Sequence, residues 1–409
     1  MVRRLAVEPY CDFRTFYDAA HAAVTGGDIY KVAGQTYVYP PMLAGWMTPL
    51  SDLSILDASW IWFGLSLVVT LASLRAWWSA AATGFRLSSG GFIAALGPAL
   101  LLWIEQVRRE FETGQCDWLM LAPIVLGAVI VVRRPILAGL LLGFAIHIKY
   151  LPLLVVVWMV VRRRWTAAAA SVVGVVLWAL LPAFVYGWDL NLDYLGRAAA
   201  GLGKLVGIIK EGQPGTVYPL EYDYSVSVPS GFARVAARFG YGHREAFAAC
   251  GVLAIVVLAA AVWIYRRNGW SIVRGSSLRF RESEADRRGL MILEYSGLLA
   301  VMLAFSPQTQ NRHLFLFLPV ILLGTAFLVD DLQRVRVGIA LAAATLGTAL
   351  LGNAANVAAG NLNWGYVGGG GLAVLVAGLL LLDAGLRRLN AVAAESSPPP
   401  AAEMPPVAV

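Results

Sequence analysis

The chain has 409 residues, 59% of them hydrophobic and 14% charged, with a mean hydropathy of +0.68, whereas an ordinary globular domain carries roughly 25% charged residues. A soluble enzyme and a string of soluble domains are both excluded. The formal net charge of +7 comes almost wholly from arginines that punctuate apolar runs, so a nucleic-acid surface is set aside and the charges read as topology signals.

Residues 1–53 carry the first informative segment, Asp12-Phe13-Arg14-Thr15-Phe16-Tyr17. Phe13, Phe16, Tyr17, Ala20 and Val24 share one face at helical spacing, and Gly26-Gly27 ends the run. These features predict an amphipathic helix lying in the interface plane. Asp12 stands at its head, in the capping position that aspartate favours. A carboxylate held at the lip of a membrane bundle can also serve as a general base toward an incoming hydroxyl. An aromatic-proline signature, Tyr37-Val38-Tyr39-Pro40-Pro41, follows.

Apolar windows predict membrane segments at 54–78, 89–104, 117–132, 136–147, 150–161, 165–186, 246–265, 289–305, 314–329, 337–352 and 364–386. Two of them, 136–147 and 150–161, fall short of the roughly 20 residues that cross a hydrocarbon core. Arg133-Arg134 and Arg162-Arg163-Arg164 stand at their outer ends, so the pair reads as a broken hairpin with His147, Lys149 and Pro152 near its apex. A charge at that depth persists where it lines a cavity. Lys149 there either meets a lipid phosphate as a point charge or snorkels to the interface.

The fold expected is an all-α polytopic membrane protein, a bundle of about eleven membrane segments with outer-face loops. Its regions are 1–53, membrane helices over 54–186, a large loop 187–245, membrane helices over 246–386, and a Pro/Ala-rich tail, 387–409, for which disorder is expected. The arginine clusters place their loops in the cytoplasm, which puts 1–53, 105–116, 187–245, 306–313 and 353–363 outside. A first transmembrane helix ahead of Asp12 is therefore expected, because something must carry that segment across.

Other constellations are polar loops. Ser306-Pro307-Gln308-Thr309-Gln310-Asn311-Arg312-His313 sets a run of polar side chains between two spans, a costly arrangement unless water or a ligand meets them. Arg312 and His313 are the members suited to a phosphate or a sugar hydroxyl. Glu105-Gln106-Val107-Arg108-Arg109-Glu110 reads as surface salt bridges, followed by Gly114-Gln115-Cys116-Asp117. Cys11 and Cys116 fall in loops assigned to one side, which leaves a disulfide open. No acidic cluster argues for a bound divalent ion.

Taken in order, these elements resemble glycosyltransferase family 87 of the membrane-embedded GT-C superfamily. The likeness rests on Asp12 to Ala20, Gly26 to Tyr30, Tyr37 to Pro41, Gly114 to Asp117, Lys149 to Pro152, and Ser306-Pro307 with His313-Leu314. It implies transfer of mannose from a polyprenyl-phosphate carrier, with Asp12 as catalytic base. Lys149, Arg312 and His313 would meet the donor phosphate, and Tyr39, Gln115, Asp117, His147 and Gln308 the substrates. The lipid-linked sugar is then a substrate, with no cofactor or metal; a glycolipid or glycan acceptor and the bilayer are the partners. Asp117 departs from the asparagine common at its position, and Arg312 is more highly charged than expected before the histidine. Two other readings stay open, a lipid-linked sugar transporter or flippase and a ligase using a diphosphate-linked oligosaccharide.

Overall fold

The computed structural model describes residues 2–8, 11–32, 37–88, 90–205, 219–307, 309–330, 333–350 and 362–396. Near the N-terminus lie α1 (Val2–Val7), α2 (Asp12–Thr25), α3 (Pro41–Trp46) and α4 (Thr48–Ser51). Then follow α5 (Ile55–Phe85), α6 (Gly91–Leu102), α7 (Ile104–Thr113), α8 (Asp117–Ile130), α9 (Pro135–Ile148) and α10 (Leu153–Val161). Next come α11 (Trp165–Leu180), α12 (Ala183–Tyr186), α13 (Trp188–Leu205), α14 (Val228–Arg238) and α15 (His243–Arg267). Strands β1 (Trp270–Ser271) and β2 (Ser276–Ser277) pair antiparallel as a short hairpin. The chain continues through α16 (Glu284–Phe305), a 3-10 helix (Asn311–Phe317), α17 (Leu318–Val329), α18 (Arg334–Ala349) and α19 (Gly369–Ser396).

Six helical stretches among the described residues are long and apolar enough to cross a membrane. The bent pair α6–α7 makes a seventh if taken as one span. The expectation of about eleven segments is not confirmed among the described residues. Apolar windows count hydropathy rather than unbroken helix: 117–132 and 337–352 become helices of 14 and 16 residues, short of the roughly 20 required. The break expected near Lys149 is present, because that residue adopts extended backbone at the end of α9 (φ −144°, ψ 138°). Burial sorts the long spans: α16 and α19 are 72% and 78% buried and form the core, whereas α15, at 11%, faces the surroundings.

Local chemistry explains the boundaries that position the site. In α2, Phe13, Phe16, Ala19 and Ala20 are buried as one stripe, and Gly26 stops the helix in the left-handed region at φ +75°. Phe13 and Phe16 pack on Trp62 of α5, which fixes α2 to the bundle. Ser54 caps α5 by accepting from the Asp57 amide at 3.2 Å. A 76° bend at Trp103 separates apolar α6 from charged α7 and turns α7 out of the span. The Trp103 indole N–H holds that bend by donating to the Leu314 carbonyl at 2.8 Å. Helices α9 and α11 meet through glycines: a Cβ at Gly143 would lie 2.7 Å from the Gly174 backbone, the close approach that small residues permit between membrane helices.

Candidate active site

Four distant pieces of sequence converge on one cluster: the head of α2, the α7–α8 junction, the end of α9 and the 3-10 helix. Asp12 is the first residue of α2 and is buried. The N-cap is Cys11, and no side chain caps the helix, so the capping role read from the sequence is corrected. The physical reason is the competing partner, since the Asp12 carboxylate forms an ion pair with the Arg312 guanidinium. A buried carboxylate gains more from a full opposite charge than from a neutral backbone amide.

Burial pushes the Asp12 carboxyl above its ordinary value, against the opposing pull of Arg312 and Lys149, with Asp117 adding to the rise. Asp117 opens α8 and is fully buried, and Lys149 donates to its Oδ1 at 2.5 Å. Oδ2 has no hydrogen-bond partner. Lys149 therefore points inward, with its side chain 13% exposed, and the snorkelling alternative is not what the chain adopts. Its ammonium also stands 5.5 Å from the centre of the Tyr39 ring. The Tyr39 hydroxyl donates to Gln115 Oε1 at 3.3 Å, and the buried Gln115 side chain lies close enough to Asp12 to oppose the rise of its carboxyl.

The loop 306–313 is not a solvated turn among its described residues. Ser306, Thr309 and His313 are buried, and the Val226 amide donates to the Thr309 carbonyl at 2.8 Å. His313 accepts from the Gln310 amide through Nδ1 at 3.2 Å, which leaves Nε2 to carry the proton of the neutral ring. Burial raises the Asp117 carboxyl, and the nearby cations Lys149 and Arg312 outweigh that to hold it below its ordinary value, so the loop brings Arg312 to the α7–α8 junction.

Two expected contacts fall elsewhere. His147 is buried on α9 with Nε2 unpartnered, and no hydrogen bond or ion pair among the described residues joins it to the cluster. Gln308 lies outside the described residues. The Cys11–Cys116 pairing left open by the sequence is not formed: both thiols are free, and Cys11 Sγ donates to the Thr113 carbonyl at 2.8 Å.

Glu110 is the member that the sequence reading left on the surface. On α7, Glu105, Arg108, Arg109 and Glu112 do form exposed ion pairs, but Gln106, Glu110 and Phe111 face inward. That face was visible in the i, i+4 spacing of Gln106 and Glu110. Glu110 Oε1 accepts from the Trp118 amide at 3.3 Å and Oε2 is unpartnered. Burial and the nearby Asp117 push this carboxyl well above the usual range, which favours the protonated form there. Glu110→Gln, which mimics that form, is expected to retain turnover and melting temperature. Glu110→Ala strands the Trp118 amide and should cost about 1–3 kcal/mol of stability. Glutamine behaving like alanine in both measurements would show that the ionised form matters.

A buried set of paired carboxylates and cations at the junction of a helical membrane bundle fits an integral-membrane transferase. The chain belongs to glycosyltransferase family 87, whose model matches residues 37–281. Tyr39, Glu110, Gln115, Asp117 and Lys149 fall inside that stretch; Asp12, Arg312 and His313 are brought to it by the fold. The chain is 24% identical over 335 residues to a polyprenol-phosphate-mannose-dependent alpha-(1-2)-phosphatidylinositol mannoside mannosyltransferase of Mycolicibacterium smegmatis, covering 78% of this chain and 68% of the relative. It is 26% identical over 308 residues to the corresponding pentamannoside mannosyltransferase of Mycobacterium tuberculosis, covering 74% of this chain but only 60% of that relative. No solved structure matches.

Proposed function

We propose that this protein transfers mannose from a polyprenyl-phosphate carrier to a hydroxyl of a glycolipid, at the outer face of the cytoplasmic membrane and with inversion. The donor and acceptor classes are those in the names of the relatives, and the outer face follows from the arginine distribution. The observation that carries the reading is the Asp12–Arg312 pair beside the Asp117–Lys149 pair.

The chemistry asks for two things: a base for the attacking hydroxyl and positive charge for the departing phosphate. With Glu110 neutral, two carboxylates balance two cations. The donor's phosphodiester, a monoanion, competes with Asp12 for Arg312, and as its bond to the sugar breaks it becomes a monoester phosphate whose growing charge draws the guanidinium more strongly than a carboxylate does. Losing that cation raises the proton affinity of Asp12, so the donor prepares the base. The acceptor oxygen then bonds to the anomeric carbon, the bond from that carbon to the phosphate oxygen breaks, and the hydroxyl proton passes to Asp12. Arg312 and Lys149 hold the released polyprenyl phosphate, and His313 orients the acceptor or adds a phosphate contact. A single displacement turns a β-linked carrier sugar into an α-glycoside. Side chains supply every role, and the reading needs no cofactor.

Membranes containing the protein, supplied with radiolabelled polyprenyl-phosphate-mannose, are expected to yield a labelled glycolipid that control membranes lack. No label transfer from any polyprenyl-phosphate sugar would overturn the enzyme reading in favour of a transporter.

A further inference from the structure

At the other end of α16 from the 306–313 loop lies a cavity of about 270 Å³ walled by arginines. Arg162 and Arg164 come from the end of α10, Arg274 from the β-hairpin and Arg287 from the start of α16; Glu282 and Glu294 also line it. From Arg287 to Phe305 is about 27 Å along the helix, nearly the depth of a hydrocarbon core, so this cavity is separate from the Asp12 cluster.

Its charges are unbalanced. Glu294 is spent internally: it pairs with Arg162 and accepts from Trp158 Nε1 at 3.1 Å and the Tyr265 hydroxyl at 3.2 Å. Glu282 accepts from the Ser277 amide at 2.5 Å. Arg164, Arg274 and Arg287 form no ion pair among the described residues. Arg162 is also buried, its side chain 5% exposed and its Nε without a hydrogen-bond partner. The hairpin is built against it: Gly275 (φ +64°) has no room for a Cβ, which would lie 2.3 Å from Arg162 Nη1. Arginines needed only to orient the chain have no reason to converge on a walled cavity.

Glu294 also borders a second space, an apolar groove of about 460 Å³ that runs between α10, α15, α16 and α19 as far as Phe305. An arginine-rich pocket thus lies beside an apolar groove in a membrane-spanning chain. We infer that the two together bind an anionic phospholipid, with its phosphate among Arg164, Arg274 and Arg287 and a chain lying along α16. Guanidinium forks match phosphate oxygens, basic pockets between membrane helices suit lipid head groups, and the groove gives the chain an apolar bed that free phosphate would not use.

Purified full-length protein in phosphatidylcholine micelles tests this by thermal unfolding. Added phosphatidylglycerol is expected to raise the melting temperature by about 2–4 °C, whereas inorganic phosphate should not. Arg274→Gln, on the exposed hairpin, and Arg287→Gln should each abolish the shift; Arg281→Gln, which removes the same charge outside the cavity, should keep it. Gly297→Leu should also weaken it, because position 297 lines the groove and has open space where a side chain would go. The inference is overturned by no shift above phosphatidylcholine, by a shift that survives Arg274→Gln and Arg287→Gln, or by an equal shift from inorganic phosphate.

Discussion

Asp12→Asn is expected to leave a folded protein whose transfer rate has fallen by about 10²–10⁴-fold, the usual worth of a positioned general base. Asparagine keeps the size of the side chain and an oxygen that can accept from Arg312. It loses the ability to take a proton and the negative charge that balances Arg312. Because Asp12 does not cap α2, no capping energy is lost; the broken ion pair with Arg312 should lower the melting temperature, and Asp12→Glu, which keeps the charge, separates that loss from the loss of turnover. Turnover within a few-fold of the parent would remove Asp12 from the mechanism and shift attention to Asp117. The pH profile gives a second readout. Burial raises the Asp12 carboxyl above its ordinary value, and the base works only when ionised, so the rate should fall off on the acid side at a pH above the normal carboxylate range. Arg312 opposes that rise, so in Arg312→Gln the acid limb should move to still higher pH. For stability the sign runs the other way: a carboxyl raised on folding favours the native state at low pH, and that contribution fades as pH climbs through the native value.

Lys149→Met should produce the largest loss of stability of any single change at the site. It strands Asp117, which is fully buried and paired with Lys149, and removing one partner of a buried pair costs about 3–5 kcal/mol. Lys149 is thus asked to do two jobs, neutralising Asp117 and meeting the donor phosphate, and a second substitution separates them. Asp117→Asn added to Lys149→Met removes the stranded charge and should restore most of the melting temperature. If Lys149 also holds phosphate, donor affinity stays low in the double variant. Recovery of both stability and donor use would make Lys149 a structural counter-ion alone.

Much of the fold could be read from local chemistry. The stop at Gly26, the stripe of Phe13, Phe16 and Ala20, and the break between α9 and α10 near Lys149 are short-range events, and sequence spacing reports them directly. The number of spans was not legible, because a run such as 337–352 is apolar throughout and only its actual helical ends show that it falls short. At the site, Asp12, Asp117, Lys149 and Arg312 were each visible as residues costly to place near a membrane. Which carboxylate takes which cation was not visible, since one pair closes over 300 residues and the other over 32. Glu110 was missed for a simpler reason. Its neighbours Glu105, Arg108 and Arg109 offered it ready surface partners, and a charged run hides the one member that turns inward.

The glycine contact between α9 and α11 bears on how firmly the ammonium of Lys149 is held. Fourteen residues run from Pro135 to Ile148, and the backbone-to-backbone seat at Gly143 and Gly174 lies less than two turns before Lys149. Helices touching through long side chains can slide by exchanging rotamers; two backbones in contact have no such slack. The cation is therefore mounted on a nearly rigid post, whereas Arg312 reaches Asp12 on a long side chain from a short 3-10 turn. Of the two cations, one can keep station while the other swings, and a transferase that must both grip a phosphate and let it go has use for that asymmetry.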